Sequence, residues 1–305
     1  MSFSDLPKDY MREALKFTPT VYNDVYPSID PTKKELNLAG KVVIVTGASR
    51  GIGATGFAPA FAKAGVRGLV LLARSAENLI AVEAQIQQIN PLVKVLCLTV
   101  DIADSDAVGQ AFQKIKATFG SADILINNAG ISAAGGGELI ADIDPDIWWS
   151  NFEVNGKGTF LMTRSFIRQL PDIDSTATII NVTTAGAWSI IPPSSGYCLS
   201  KLVGLQLIPF ISESYPNITA IALHPGMLDT GMFHESMRHF DLDTPDIAGA
   251  FAVWLSHPHA KFLSGRFVAA QWSVDELLDR KDEILGGRQL LLTVPGPFGP
   301  KQFQQ

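Results

Sequence analysis

Short runs of aliphatic and β-branched residues alternate along the chain with segments whose apolar positions recur at helical spacing. The first run, Lys41–Thr46, reads Lys-Val-Val-Ile-Val-Thr without polar alternation, the pattern of a strand buried on both faces. Further strands are expected at Gly68–Ala73, Val93–Leu98, Ala122–Ile126, Thr178–Val182, Ile218–Leu223 and Arg266–Ala270. Between them the periodicity predicts helices over Ile52–Ala64, Glu77–Ile89, Ser105–Phe119, Asp146–Leu170, Tyr197–Tyr215 and Pro245–Leu255. Buried strands joined by helical crossovers predict an α/β fold, a Rossmann-type doubly wound parallel sheet of about seven strands in one domain.

Boundaries follow from where this alternation starts and stops. Residues 1–40 carry Pro7, Pro19, Pro27 and Pro31 among aromatics, which suits an N-terminal arm laid on the body. The sheet domain is expected over 41–280, and a Gly- and Pro-rich tail over 281–305 is expected to pack on that body or on a partner subunit. One local rule is broken: Pro59 falls inside the first helix, where it would cost about 3 kcal/mol in regular geometry. A kink is expected there, with Gly56 as its flexible point.

Composition narrows the function classes. Of 305 residues, 47% are hydrophobic and 18% charged, which supplies a large core and excludes global disorder. The net charge is −6 with no Lys/Arg-rich stretch, so nucleic acid and anionic membrane are not expected as partners. The most apolar long stretch, Phe57–Ala73, is interrupted by Pro59, Lys63 and Arg67, and no membrane span is expected. Met1–Phe17 lacks the apolar core of a signal peptide, and Cys97 and Cys198 are the only cysteines, so a cytoplasmic, reducing location is expected. The five histidines are scattered, and no metal site is expected.

The first strand leads straight into Thr46-Gly47-Ala48-Ser49-Arg50-Gly51-Ile52-Gly53. Glycines between a buried strand and a helix let the backbone approach a pyrophosphate at the helix N-terminus, so Gly47, Ser49, Arg50, Gly51, Ile52 and Gly53 are candidate dinucleotide ligands; a bare tight turn would explain the glycines but not their placement. At the end of the second strand, where an acid would bind a ribose 2′-hydroxyl, stand Leu72-Ala73-Arg74-Ser75. Arg74 with Arg50 could clamp a 2′-phosphate, so NADP(H) is the expected cofactor.

Tyr197 and Lys201, four residues apart at the start of a predicted helix, share one face. A neighbouring ammonium favours the phenolate, which brings a tyrosine toward acid–base chemistry at neutral pH. Together the glycine loop, Asn127-Asn128-Ala129-Gly130, Tyr197-Cys198-Leu199-Ser200-Lys201 and Pro225-Gly226-Met227-Leu228-Asp229-Thr230 resemble the short-chain dehydrogenase/reductase family in its compact branch. The likeness covers about Lys41 to Ala270.

That resemblance implies a proton donor at Tyr197, a Lys201 that binds the nicotinamide ribose and lowers the tyrosine pKa, and an Asn155 that holds a water in a proton relay. The serine that orients the carbonyl in the family falls 13 residues before the tyrosine, on Thr184. Threonine keeps the hydroxyl but adds a methyl, which narrows the substrate geometry more than it changes the reaction. Asn128 and Gly130 would close the ribose side, Asp101 and Ile102 would flank the adenine, and Leu228 and Thr230 would contact the carboxamide. Asp101 and Thr230 have milder readings as helix caps. A homodimer or homotetramer is expected.

The substrate is read less directly. Gly231–Phe240, rich in Met and Phe, suits either the wall of a pocket for a bulky apolar small molecule or an amphipathic helix packed on the core; Trp188, Ile190, Ile191 and Pro192 suit a facing wall, and Gly135-Gly136-Gly137 suits a lid. Asp144-Pro145-Asp146-Ile147-Trp148-Trp149, Gly265-Arg266-Phe267-Val268 and the arm from Thr18 to Pro31 resemble a filamentous-fungal subgroup tied to secondary metabolism, which implies a polyketide or alkaloid ketone. The expected activity is NADPH-dependent ketone reduction. Alcohol oxidation uses the same residues, and a non-redox protein on the same scaffold is disfavoured by Tyr197 and Lys201.

Overall fold

The apolar runs pair into one seven-stranded parallel sheet in the computed structural model, which describes residues 5–133, 139–172, 174–191, 194–232 and 237–296. The strands are β1 Val42–Thr46, β2 Gly68–Ala73, β3 Lys94–Thr99, β4 Ile124–Asn127, β5 Ala177–Val182, β6 Ile218–His224 and β7 Phe267–Ala269, in the spatial order β3-β2-β1-β4-β5-β6-β7. Every residue of β1, β2, β4 and β5 is buried, which is why their sequences show no polar alternation. The register runs Val43 to Leu69 on one side of β1 and Val43 to Ile124 on the other. Strand order reverses between β1 and β4, so a crevice opens beyond their carboxyl ends.

The helices are α1 Tyr10–Ala14, α2 Ala58–Lys63, α3 Ala76–Ile89, α4 Ser105–Phe119, α5 Pro145–Asn151, α6 Thr159–Arg168, α7 Ser195–Ser214, α8 Pro245–Leu255, α9 Val274–Asp279 and α10 Lys281–Gly286. Two of the predicted helices are interrupted by π-helical turns, Gly53–Phe57 and Phe152–Gly158. The first corrects the expected kink at Pro59. The widened turn ends at Phe57, so Pro59 falls in the first turn of α2, where a helix does not require its amide. Gly56 is not a soft point either: a Cβ on it would lie 2.3 Å from the Pro245 carbonyl oxygen, and one on Gly249 would lie 2.2 Å from the Gly56 oxygen. The first helix and α8 touch backbone to backbone, and side chains would force them apart.

The second π turn divides the single helix expected over Asp146–Leu170 into α5 and α6 and carries Asn155. Residues 5–40 run across the carboxyl-end side chains and the C-terminal helices: Val21 bridges to Trp272, the Tyr22 amide donates to the Gln271 carbonyl at 2.7 Å, and Ile29, Leu36 and Leu38 join the main core. From the other end of the chain, the Phe267 amide donates to the Leu290 carbonyl at 2.9 Å.

Candidate active site

Thr46 ends β1, and its buried side chain organises the crevice. Its hydroxyl oxygen accepts from the amides of Asn128 and Ala129 at 2.9 and 3.0 Å and donates to the Ile126 carbonyl at 3.2 Å. The Asn128 side-chain amide donates to the Thr46 and Gly47 carbonyls at 2.9 and 3.3 Å, which fastens the loop after β4 to the loop after β1. Gly47 and Gly51 have φ of +66° and +54°, a conformation in which side chains are strained. At Gly53 a Cβ would lie 2.3 Å from the Gly47 oxygen, so the incoming helix sits directly on the end of the strand.

A cleft of about 580 Å³ opens above these loops. Gly47, Ser49, Arg50, Gly51, Ile52, Arg74, Asp101, Ile102, Asn128, Gly130 and Thr230 all border it, whereas Gly53, Tyr197, Lys201 and Leu228 do not: Gly53 is spent on packing, and Lys201 and Leu228 are buried. The volume lies in the range of cofactor pockets. The glycine cradle, the start of a helix and the two arginines are a donor set that fits a dinucleotide. Arg74 lies 3.9 Å from Asp101, both largely exposed. The capping alternative for Asp101 does not hold, because Asp104 caps α4 through the amides of Asp106 and Ala107, while Asp101 accepts from the Ala103 amide within its own turn. Thr230 Oγ accepts from the Met232 amide at 3.4 Å, while the residue before α8 is Thr244.

Gly130 joins the cleft to the second group of residues. A Cβ there would lie 2.9 Å from Lys201 Nζ and 3.0 Å from Asn155 Oδ1, so both groups stand directly behind it. Lys201 is buried and donates to the Val182 carbonyl at 3.0 Å. Burial lowers its pKa to about 8. Tyr197, one turn earlier on α7, is half-buried, and its hydroxyl makes no hydrogen bond to another described residue. Burial raises its pKa above the ordinary phenol value, with a smaller contribution from Cys198. This corrects the expected lowering by Lys201. Desolvation disfavours both charged forms.

Asn155 is committed within the protein. Its side-chain oxygen accepts from the Ile131 amide at 2.8 Å, and its amide donates to the Ile131 carbonyl at 2.8 Å and to Ser200 Oγ at 2.9 Å. The side chain therefore clamps the loop after β4 onto α7, with both amide hydrogens used and one lone pair of Oδ1 left for the expected relay water. Thr184 Oγ accepts from the Gly186 amide at 3.2 Å, which leaves its hydroxyl hydrogen free to donate. Thr183, by contrast, is buried and donates to the Lys201 carbonyl at 3.3 Å.

Sequence reading missed the supporting polar set. Asn127 donates to Thr163 and Asn181, Asn181 donates to the Gly204 carbonyl, and Asn151 accepts from the Ala133 amide. Polar residues inside otherwise apolar strands were the available signal. Trp188 is half-exposed and meets Phe267 edge-on at 6.0 Å. The expected lid at Gly135–Gly137 and the wall residues Pro192, Phe233, His234, Glu235 and Ser236 lie outside the described residues. Among the described residues, no group of His, Cys, Asp or Glu could hold a metal, and no helix is long and apolar enough to cross a membrane.

A family model described as short chain dehydrogenase matches residues 41–240. The chain is 38% identical over 277 residues to short chain dehydrogenase mpl6 of Monascus purpureus, covering 88% of this chain and 93% of that one. It is 32% identical over 286 residues to short chain dehydrogenase pigC of Monascus ruber, covering 90% and 92%. Among solved structures, a putative short-chain alcohol dehydrogenase from Sinorhizobium meliloti superposes with a TM-score of 0.69 at 25% identity, covering 77% of this chain and 96% of that one.

Proposed function

The chain belongs to the short-chain dehydrogenase family, and we propose that it is an NADPH-dependent reductase that converts a ketone of a bulky, largely apolar small molecule to a secondary alcohol. The observation that carries this reading is the position of Gly130. It lines a dinucleotide-sized cleft and is backed by Lys201 and Asn155, while Arg50 and Arg74 border the same cleft on the β1 and β2 side. The likeness to fungal Monascus chains supports a place in secondary metabolism, with a polyketide- or alkaloid-like ketone as the substrate class.

Bound NADPH would supply the hydride. In this reading the glycine loop and the start of the helix at Gly51 hold the pyrophosphate, Arg50 and Arg74 hold the 2′-phosphate, Asp101 and Ile102 flank the adenine, and Leu228 and Thr230 contact the carboxamide. The Tyr197 hydroxyl, unpaired within the described chain, gives its proton to the substrate oxygen. Thr184 donates its remaining hydrogen to the same oxygen and stabilises the charge that develops there. Lys201 supplies the positive charge that offsets the cost of forming a buried phenolate. Asn155 keeps Gly130 and the α7 residues in register.

A second copy of the chain completes the proposal as a homodimer or homotetramer. Leu199, Val203 and Phe210 are exposed at helical spacing on α7. The decisive experiment monitors NADPH oxidation with a panel of polyketide-like ketones. Wild type should turn over at least one of them, and Tyr197→Phe should abolish turnover while binding NADPH with nearly unchanged affinity. Lys201→Ala should impair both. Full activity in Tyr197→Phe would overturn the assignment of the proton donor.

A further inference from the structure

The arm reaches a buried carboxylate that also shapes the proposed cofactor cleft. The helix α1 buries none of its residues, and beyond the Tyr10 ring at 6.5 Å from Phe240 no buried apolar face of its own holds it. Instead Arg12 reaches Asp243, with Nε and Nη2 at 3.3 and 3.1 Å from Oδ1. Backbone bonds run alongside, the Asp241 amide to the Lys8 carbonyl at 2.9 Å and the Thr244 amide to the Asn23 carbonyl at 2.8 Å.

Asp243 is an unusual anchor for a surface arm because its side chain is only 1% exposed. Its second oxygen accepts from the Met227 amide at 2.6 Å and from Gln271 Nε2 at 2.8 Å, and its own amide donates back to the Met227 carbonyl at 2.8 Å. Gly226, at φ +103°, has no room for a Cβ, which would lie 2.6 Å from the same carboxylate. The loop that leaves β6 is thus clamped at Met227, and two residues later Asp229, Thr230, Gly231 and Met232 form one wall of the cleft. A buried carboxylate that loses its guanidinium partner is costly, so the clamp depends on the arm being docked. Burial tends to raise the Asp243 pKa, and the Met227 amide and Arg12 oppose it.

We propose that Arg12 is a positioning residue for nucleotide binding: through Asp243 it fixes the Gly226–Met232 wall, so that docking of the N-terminal arm sets the affinity of the cleft for its cofactor. The inference rests on the cofactor reading above. Arg12 itself does not border the cleft, so it acts only through the carboxylate.

The test is a fluorescence titration with NADPH, together with hydrogen exchange at the Met227 amide in the nucleotide-free protein. Arg12→Met should weaken NADPH about tenfold, in the range of coupling through a packed network, and should speed exchange at Met227. Arg12→Lys, which keeps the charge, should show a smaller loss in the same direction, so the test does not depend on Arg12→Met folding. Thr20→Val loosens the arm at Glu276 instead, and it should lower Tm without either change. Wild-type affinity in both Arg12 variants, or an equal loss of affinity in Thr20→Val, overturns the inference and leaves the cofactor reading standing. Failure of the wild type to bind NADPH or NADH overturns that reading and the inference with it.

Discussion

The side-chain amide of Asn128 donates to the main-chain carbonyl of Thr46 at 2.9 Å, while the Thr46 hydroxyl oxygen accepts from the Asn128 amide at the same distance. Two loops that belong to different halves of the sheet are locked by two bonds, both donated by Asn128, at the point where strand order reverses. Thr46→Val keeps the shape but leaves the half-buried Ala129 amide without an acceptor, while the Asn128 amide keeps the Ile126 carbonyl at 3.0 Å. Urea unfolding should show a loss of about 1–3 kcal/mol. Asn128→Leu should also destabilise, and it should weaken nucleotide binding more than its stability loss alone would, since the pair sets the spacing of the loops around the cleft.

Cofactor choice should follow Arg74. In the wild type NADPH should bind more tightly than NADH, and Arg74→Ala should erode that preference by about tenfold to a hundredfold, the worth of one to two charge-assisted contacts. The nearby Asp101 carboxylate, at 3.9 Å, competes with a phosphate for this guanidinium, so rising salt should reduce the preference as well. Titration of both cofactors at two ionic strengths checks this, and equal affinities in the wild type would rule it out.

Thr184 carries two separable tasks. As the acceptor for the Gly186 amide it caps the short turn Ala185–Ala187, and as a donor it is proposed to meet the substrate oxygen. Thr184→Val should cost about 1 kcal/mol of stability through the cap and roughly a hundredfold in kcat through the lost donor. Thr184→Ser keeps both bonds, should retain kcat, and should widen the substrate range by removing the methyl. Unfolding curves and steady-state rates on the same preparations separate the two effects.

His224 predicts a pH dependence of stability. Its ring is packed against Phe267 with centroids 6.4 Å apart, Nδ1 has no partner among the described residues, and burial lowers its pKa from 6.5 to about 4. The folded state therefore binds fewer protons than the unfolded chain between those two values. Stability should fall as pH drops from 6.5 to 4, by at most about 3 kcal/mol from this residue, and level off below. His224→Leu should flatten that part of the curve, as measured by Tm across the acid range; an unchanged slope would place the effect elsewhere.

What the sequence determined by itself were the features that local chemistry enforces. Strands buried on both faces, such as β1, β2, β4 and β5, require unbroken apolar runs, and all seven strands could be read from such runs with shifts of one or two residues at their ends. The glycine loop and the Tyr197/Lys201 pair were legible because each depends on residues close together in the chain. The tertiary structure alone decided everything that depends on distant partners. It turned the Pro59 kink into a π turn, because α8 packs backbone to backbone against Gly56, and it committed Asn155 to Ile131 and Ser200. It reversed the expected shift at Tyr197, because the sign depends on how far both charges are removed from water, which no spacing encodes. It also joined Arg12 to Asp243 across 231 positions, a pairing that required the arm to cross the end of the sheet before either residue could meet the other.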